Sequence, residues 1–259
     1  MRIIDLSTPI DAAGWEPEPV EHHVLSAADG AKHMSAEMLE HFGLEFDPAV
    51  LPDGELLTID TLTLTTHTGT HIDAPSHYGS TARYGDGRPR HVHELPLEWF
   101  HGPGVLLDIG TPEPGAVDAG RLRRELDRIG HRLSPGEIVL LRTGASRLAG
   151  TPEYFSRFTG LDGSAVHFLL DQGVRVIGTD AFSLDAPFRT MLEGYRETGD
   201  RDLLWPAHFV GREREYCQIE RLAHLEELPA PTGFTVSCFP VKIVGAGAGW
   251  ARAVAVLPA

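Results

Sequence analysis

One short segment concentrates the side chains that could bind a metal ion. Three histidines and one aspartate fall within eleven residues: His67, His71, Asp73 and His77. Two neutral imidazoles and a carboxylate suit zinc, manganese or another borderline divalent ion. The alternative is a polar strand end with surface histidines. The density of different ligand types in one segment favours a metal site.

The backbone that carries these residues is predicted to be a strand. His67 and His71 are four residues apart, so a helix could also place them on one face. A glycine, a proline and several β-branched residues in the segment disfavour a helix, and the alternating run 57–65 before it is typical of a strand. If the strand continues, alternate positions share one face. We therefore expect His67, His71 and Asp73 to converge.

The same segment carries a family resemblance. It reads His-Thr-Gly-Thr-His-Ile-Asp-Ala-Pro-Ser-His from His67 to His77, and it resembles the signature His-x-Gly-Thr-His-x-Asp-x-Pro-x-His of a family of metal-dependent hydrolases called cyclases. Bacterial kynurenine formamidase and isatin hydrolase are members of that family. The resemblance implies that His67, His71 and Asp73 bind metal and that His77 is the catalytic acid/base.

A second pair of candidate ligands lies in the C-terminal third. His208 is followed twelve residues later by Glu220. A lone histidine and a lone glutamate indicate little by themselves. In the kynurenine formamidase branch of the family, this spacing completes a two-metal site, whereas the isatin hydrolase branch lacks the glutamate and uses one metal. The resemblance thus implies one or two divalent ions per chain, Zn²⁺ or alternatively Mn²⁺, with His208 on the second ion and Glu220 and Asp73 bridging both.

Other polar and aromatic residues are candidates to support the ligands or line the substrate pocket. Asp180 and Asp185 follow a predicted strand, and the carboxyl ends of strands are well placed for a site. The resemblance implies a supporting or structural role for both. Thr70 and Trp205 are further candidates of this kind. The segment His91–His93 is a weaker metal pattern, since two histidines two residues apart on a strand would share a face.

A serine hydrolase and a dinucleotide-binding protein are both disfavoured, because their sequence motifs are absent or incomplete. The sequence has no Gly-x-Ser-x-Gly motif, so a serine hydrolase of that type is excluded. The glycine-rich run 245–249 contains Gly-x-Gly-x-Gly but no helix is predicted to follow it, which argues against a dinucleotide site. We predict instead a tight turn that joins strands 234–243 and 250–256.

Composition and length limit the partners and the compartment. The chain of 259 residues, with 42% hydrophobic and 23% charged residues, is expected to form a single domain over residues 1–259. Its net charge of −15 disfavours nucleic acid and anionic membranes as partners, and no apolar run is long enough to span a bilayer. Only Cys217 and Cys238 are present, and the start lacks the features of a signal peptide, so we expect a cytoplasmic protein.

Strand and helix patterns alternate through the middle of the chain. Strands are predicted at 104–109, 137–143 and 174–178, and helices at 119–129 and 165–172 with Asp118 and Asp162 as N-caps. The segment 7–55 is expected to be a long loop with a helix at 34–41. This alternation predicts an α/β fold with a mixed β-sheet core flanked by helices, and the resemblance implies the swivelling β/β/α fold of the cyclases.

These features predict an enzyme with a small-molecule substrate. We expect a metal-dependent hydrolase that uses activated water on the C–N bond of a small amide, aryl formamide or lactam. The alternative keeps the site but makes the chain a cyclase, or a lactone- or ring-opening enzyme, acting on a natural-product intermediate of the polyketide type. A non-enzymatic metal-binding module is a third interpretation. The resemblance also implies a homodimer or higher homo-oligomer.

Overall fold

The fold was analysed in a computed structural model that describes residues 1–110 and 113–258. Contacts within the chain separate two compact units, one formed by Met1–Ile10 together with Thr66–Ala259 and the other by Asp11–Thr65. The prediction of one domain over residues 1–259 stays a prediction.

The larger unit contains most of the regular structure. The strands of the described residues are, in chain order, β1 (Arg2–Asp5), β2 (Glu21–Leu25), β3 (Ile59–Thr63), β4 (His71–Asp73), β5 (His101–Asp108), β6 (Gly115–Val117), β7 (Ile138–Arg142), β8 (Thr159–Leu161), β9 (Val176–Thr179), β10 (Cys217–Glu220), β11 (Phe234–Ser237), β12 (Ala248–Trp250) and β13 (Val254–Leu257). The α-helices are α1 (Ala27–Phe42), α2 (Ala119–Ile129), α3 (Gly163–Asp171), α4 (Phe188–Thr198) and α5 (Pro206–Val210).

Nine strands of the larger unit form one mixed sheet. Their order is β1-β13-β11-β5-β7-β9-β10-β4-β12. The four strands β5, β7, β9 and β10 run parallel to one another, and the remaining neighbours pair antiparallel. Strands β6 and β8 form a separate parallel pair. The predicted α/β fold with a mixed sheet flanked by helices is confirmed.

The central strands are buried on both faces, which explains their continuous apolar sequence. Along β5 and β7, Leu106 and Leu140 belong to one apolar cluster, whereas Leu107 and Leu141 belong to the other. The second cluster also contains apolar side chains of α2, α3 and α5, so these helices cover one face of the sheet. Alternation along each strand therefore assigns its side chains to two different cores.

In the larger unit, helices α2 and α3 begin at the cap residues that the sequence predicts. The side chain of Asp118 accepts a hydrogen bond from the backbone of Arg121 at the start of α2, and Gly130 ends that helix in the left-handed conformation. Asp162 caps α3 in the same way. The predicted helices and the three predicted core strands are present with bounds shifted by a few residues at most.

The smaller unit contains more regular structure than predicted. Helix α1 spans Ala27–Phe42 rather than 34–41, because Ser26 caps its N-terminus and Gly43 ends it in the left-handed conformation. Strands β2 and β3 pair antiparallel within this unit, so the prediction of a long loop over 7–55 was wrong. None of the helices in the described residues is long and apolar enough to cross a membrane.

Near the C-terminus, the predicted glycine turn was also wrong. Strand β12 begins at Ala248, inside the glycine-rich run, and pairs with β4 rather than with the strand before it. Strand β11 instead pairs with β13. The low steric demand of glycine suits this close approach of backbones: a Cβ at Gly249 would lie 2.7 Å from the carbonyl oxygen of Val241.

Candidate metal centre

Strand β4 is short and lies between β10 and β12, so its side chains are held from both sides. Its antiparallel register with β10 places His71 opposite Glu220. Asp73 is two residues after His71 and therefore projects from the same face of the sheet. All three side chains are buried, with exposed fractions of 1% for His71, 0% for Asp73 and 7% for Glu220. Sheet pairing thus places a remote glutamate beside the motif.

His67 reaches this site from a loop and not from a strand. The chain turns at residues 66–70, here called the His67 loop, and Gly69 adopts a left-handed backbone with φ of 67°. A Cβ on Gly69 would lie 2.9 Å from Cγ1 of Ile10. The prediction that one strand continues through residues 67–73 was therefore wrong, and His67 converges on the site because the loop folds back.

Thr70 supports the His67 loop through the backbone. Its Oγ1 donates a hydrogen bond of 2.6 Å to the carbonyl of Arg221 and accepts one of 2.8 Å from the backbone N–H of Thr8. The predicted supporting role of Thr70 thus has a structural basis, because the hydroxyl joins the residue before His71 to the end of β10.

Two groups of potential metal ligands share Asp73. One consists of His67, Asp73 and His77, and the other of His71, Asp73 and Glu220; within each, the donor atoms lie within 4.8 Å of one another. Nδ1 of His67 is 3.0 Å from Oδ1 of Asp73, and Nε2 of His71 is 3.4 Å from the same oxygen. Nε2 of His71 is also 3.7 Å from Oε2 of Glu220.

Several of these buried atoms lack a hydrogen bond among the described residues. They are Nε2 of His71 and both carboxylate oxygens of Asp73. Nδ1 of His71 lies 2.9 Å from the carbonyl oxygen of Gly69, which can only accept, so Nδ1 donates this bond and the neutral form of the ring has its lone pair on Nε2. Buried polar atoms normally have partners. Lone pairs that converge in this way fit a divalent cation.

The two carboxylates of the site have opposite pKa shifts. Burial alone would raise the pKa of Asp73, but the adjacent His71 and His67 hold it well below its usual value. Burial raises the pKa of Glu220, and the nearby charge of Asp73 raises it further. Oε1 of Glu220 accepts a hydrogen bond of 2.9 Å from the backbone of Leu184. Crowding of acidic groups in a buried site is also what a cation relieves.

His77 lies at the open side of the site. It belongs to a short 3-10 helix, Pro75–Tyr78, that follows β4. Its ring centroid is 4.3 Å from that of His67 and 5.4 Å from that of His208. Desolvation lowers the pKa of His77 to about 4, although part of the residue is exposed to solvent. The imidazole is therefore neutral at pH 7.

His208 lies on the short helix α5 and is held by Asp185. Nδ1 of His208 forms a short hydrogen bond to Oδ2 of Asp185, and the same carboxylate accepts a bond of 2.6 Å from the backbone of Ala207. Burial lowers the pKa of His208, but the bond and charge of Asp185 together with the charges of Glu220 and Asp73 raise it to about 9. His208 is in neither ligand group of the described residues, and its ring centroid lies 5.4 Å from that of His77.

The two other pocket candidates have structural partners. Asp180 accepts hydrogen bonds from the backbone and hydroxyl of Thr143, at 2.7 and 2.6 Å, and from the backbone of Gly144 at 2.9 Å. The backbone N–H of Trp205 faces the sulfur of Met191 at 3.1 Å, and its φ of 48° is left-handed. Asp180 thus ties the end of β9 to the end of β7.

The weaker histidine pair does not form a site. His91 and His93 flank and occupy a short 3-10 helix, Val92–Glu94, and not a strand. Neither belongs to a potential ligand group among the described residues.

Sequence reasoning missed two residues of the site. The hydroxyl of Tyr78 donates a 3.3 Å hydrogen bond to the carbonyl of Asp73, and its ring is 5.4 Å from that of Tyr216. Arg221 is buried beside the site and contacts the His67 loop. The available signals were weak: Tyr78 and Arg221 each directly follow a candidate residue, His77 and Glu220, but large polar residues are common next to such motifs.

The sequence of the chain is similar to a family model and to known enzymes. A sequence model of the cyclase family, described as "Putative cyclase", matches residues 4–186. A kynurenine formamidase of Salinibacter ruber is 28% identical over 209 residues, which are 78% of this chain and 81% of that protein. A kynurenine formamidase of Bacillus thuringiensis is 30% identical over 129 residues, or 50% of this chain and 54% of that protein. The family match ends before His208 and Glu220.

Comparison with solved structures supports the fold. An isatin hydrolase bound to the product analogue thioisatinate has a TM-score of 0.74 at 22% identity, with 99% of this chain and 92% of that chain covered. Isatin hydrolase A from Labrenzia aggregata has a TM-score of 0.72 at 23% identity, with 99% and 93% covered. The family match and the relatives confirm the predicted family and, at family level, the prediction of a hydrolytic enzyme. The chain that carries this site belongs to the cyclase family.

Proposed function

We propose that the chain is a metal-dependent hydrolase that cleaves the C–N bond of a small amide, aryl formamide or lactam. The observation that carries this proposal is the pair of ligand groups that share the buried carboxylate of Asp73. The kynurenine formamidase relatives support the reaction class, because that name denotes the hydrolysis of a formamide.

Each residue of the site has a proposed role. His67, His71 and Asp73 would hold one divalent ion, and His208 and Glu220 would hold a second where two ions bind. A divalent ion, Zn²⁺ or Mn²⁺, would supply Lewis acidity toward the substrate carbonyl and lower the pKa of water. The hydrogen bond from His71 to the Gly69 carbonyl orients its ring for this task.

His77 is the proposed acid/base. A neutral imidazole at pH 7 can accept a proton from the attacking water and return it to the departing nitrogen. Its lowered pKa of about 4 provides the neutral form, and its contact with solvent lets it meet a substrate. Because Asp185 bonds Nδ1 of His208, Nε2 is the nitrogen of that ring left to bind an ion, which would replace the proton that the raised pKa keeps on the ring.

A row of aromatic side chains supports an aromatic substrate. The rings of Phe155 and Phe182 are 4.6 Å apart, those of Phe182 and Phe188 5.9 Å, and those of Phe188 and Trp205 5.8 Å. None of these four is fully buried, so their faces can pack against an aryl group. The row includes Phe182, two residues before Leu184, and Trp205, which directly precedes α5. The backbone N–H of Leu184 donates a hydrogen bond to Glu220.

The test combines metal content with a substrate panel. Plasma mass spectrometry on protein purified without chelator should give two ions per chain if His208 and Glu220 take part, and one if the site is confined to His67, His71 and Asp73. The panel should contain aryl formamides, lactams and lactones, with a chelated sample and metal add-back as controls. Turnover of lactones alone would favour the ring-opening alternative. Absence of bound metal, with none taken up on titration, would contradict the proposal.

A further inference from the structure

Arg221 directly follows Glu220 and is almost fully buried, with 2% exposed. Its backbone is left-handed, with φ of 63°, a region that residues with a side chain rarely occupy. Such a conformation persists only where the surroundings fix it. The surroundings here include the backbone N–H of Arg221, which donates to the carbonyl of Ala181 at 3.0 Å. An unfavourable backbone at a buried arginine beside a metal site calls for a physical reason.

The carbonyl of Arg221 is the first part of that reason. It accepts hydrogen bonds from two threonine hydroxyls, Oγ1 of Thr70 at 2.6 Å and Oγ1 of Thr8 at 2.8 Å. Thr70 is the last residue of the His67 loop and directly precedes His71. The left-handed turn after Glu220 therefore directs a carbonyl group toward the segment that carries two of the proposed ligands.

The guanidinium of Arg221 provides a second physical reason for its buried position. Its Nη1 donates a hydrogen bond of 3.2 Å to the carbonyl of His67. Its central carbon lies 5.7 Å from the ring centroids of both Tyr154 and Phe155. A planar guanidinium held against aromatic rings has little freedom to rotate. The hydrogen bond thus ties the backbone of His67 to a rigid group.

We infer that Arg221 is a positioning residue that fixes His67 for metal binding. A guanidinium carries no acceptor atom and is not itself a ligand, so it acts through the His67 backbone while its own carbonyl holds Thr70. The His67 loop contains a left-handed glycine, Gly69, and a ligand on such a turn is kept in place by groups that bond the loop from outside. This inference rests on the proposed function, because it requires that His67 bind metal.

The first experiment measures zinc affinity, independently of turnover. Arg221→Met keeps the left-handed position and most of the side-chain length but removes the N–H donors. We expect its zinc dissociation constant, measured by competition with a chromogenic chelator, to rise about 10- to 100-fold, as is usual when a supporting partner of a metal ligand is removed. Arg221→Lys keeps the charge without the planar fork, so we expect it to weaken zinc binding too; it provides the same comparison if the methionine variant does not fold.

A control variant tests whether the loss of another arginine with the same kinds of contact, here an exposed one, also weakens zinc binding. The guanidinium of Arg175 also donates to a backbone carbonyl, that of Glu215 at 2.9 Å, and also lies over an aromatic ring, that of Trp99 at 5.8 Å. It contacts no proposed ligand, so Arg175→Met should bind zinc as tightly as the wild type. Circular dichroism of the metal-free variants provides the check that both retain the fold.

A double-mutant cycle then tests whether the effect passes through His67. In a His67→Ala background, Arg221→Met should change the zinc dissociation constant less than about 2-fold, because the ligand that it positions is gone. An equal loss in both backgrounds would overturn the inference, as would a wild-type affinity in Arg221→Met. Failure of the wild type to bind zinc would instead overturn the proposed function and this inference with it.

Discussion

At the scale of single residues, the central group is the carboxylate of Asp73. Its two oxygens are buried without a hydrogen bond among the described residues, and histidine nitrogens approach one of them from two sides at 3.0 and 3.4 Å. A buried carboxylate without such compensation would be costly. Asp73 belongs to both potential ligand groups, so it is the residue on which one-metal and two-metal arrangements both depend.

His77 is the residue whose role a single variant can decide. We expect His77→Ala to retain the wild-type metal content and to lower kcat by roughly 10²- to 10⁴-fold, the usual contribution of a general acid/base. Metal analysis and steady-state kinetics on the same preparation provide the measurement. Loss of one ion along with activity would instead identify His77 as a ligand, in line with its membership of the His67 and Asp73 group.

Asp185 offers a second prediction at this scale. Asp185→Asn weakens the charged hydrogen bond that holds Nδ1 of His208, so we expect a loss of about 10- to 100-fold in activity or in affinity for the second ion. Asp180→Asn is the matched control, since Asp180 is similarly buried but its carboxylate bonds Thr143, Gly144 and Ser146 instead of a proposed ligand. It should lower stability and leave metal content unchanged. Equal effects of the two variants on metal binding would contradict the assignment.

At the scale of elements, two short segments set the geometry of the site. Strand β4 has only three residues, yet hydrogen bonding to β10 and β12 fixes its register on both sides. The His67 loop has no such pairing and depends on the left-handed Gly69 and on the hydroxyl of Thr70. A paired strand supplies His71 and Asp73 rigidly, and a supported loop supplies His67.

Helix α2 supports the fold away from the site and gives a pH-dependent prediction. Glu125 is buried on α2, and its pKa is lowered, first because Arg128 donates hydrogen bonds of 2.6 and 2.9 Å to it. A lowered folded pKa means that the folded chain binds this proton less tightly than the unfolded chain. The resulting stabilisation is present above the unfolded pKa of about 4.3 and is lost as the pH falls through the folded pKa.

We therefore expect Glu125→Gln to lower the free energy of unfolding at pH 7 by about 1–3 kcal/mol, and by progressively less below pH 4. Urea denaturation of both proteins between pH 7 and pH 3.5 provides the measurement. Glu193→Gln is a suitable control, because the pair of Glu193 with Arg189 is loose, at 3.6 Å, and its side chains are exposed to water. If the free energies of unfolding of wild type and Glu125→Gln differ by the same amount at every pH, the charge of Glu125 is not the cause of that difference.

At the scale of the whole molecule, bound metal should stabilise the fold. A ligand that binds only the folded chain adds about 2.7 kcal/mol when its free concentration is 100 times its dissociation constant. For a chain of 259 residues, each kcal/mol shifts Tm by about 2–4 °C. We expect zinc at that excess to raise Tm by roughly 5–10 °C over a chelator-treated sample in differential scanning calorimetry. Equal Tm values would contradict a metal centre formed in the folded state.

The predicted homodimer and cytoplasmic location stay predictions.

The sequence by itself determined the family and the composition of the primary site. The eleven residues from His67 to His77 carry most of the ligand types. Because they are close in sequence, they indicate a site whether the backbone is a strand or a loop. The core strands and the caps Asp118 and Asp162 were also readable, because periodicity and capping are local effects.

Only the tertiary structure decided how the site is assembled. The pairing of β4 with β10 places Glu220 opposite His71 across 149 residues of chain, a register that no local pattern encodes. The turn at Gly69 passes so close to Ile10 that a Cβ there would lie 2.9 Å from it, and the buried Arg221 is held by Thr8, Thr70 and an aromatic ring. Long-range packing overrides local strand propensity at such positions, because it is the sum of many contacts made only after the chain has folded.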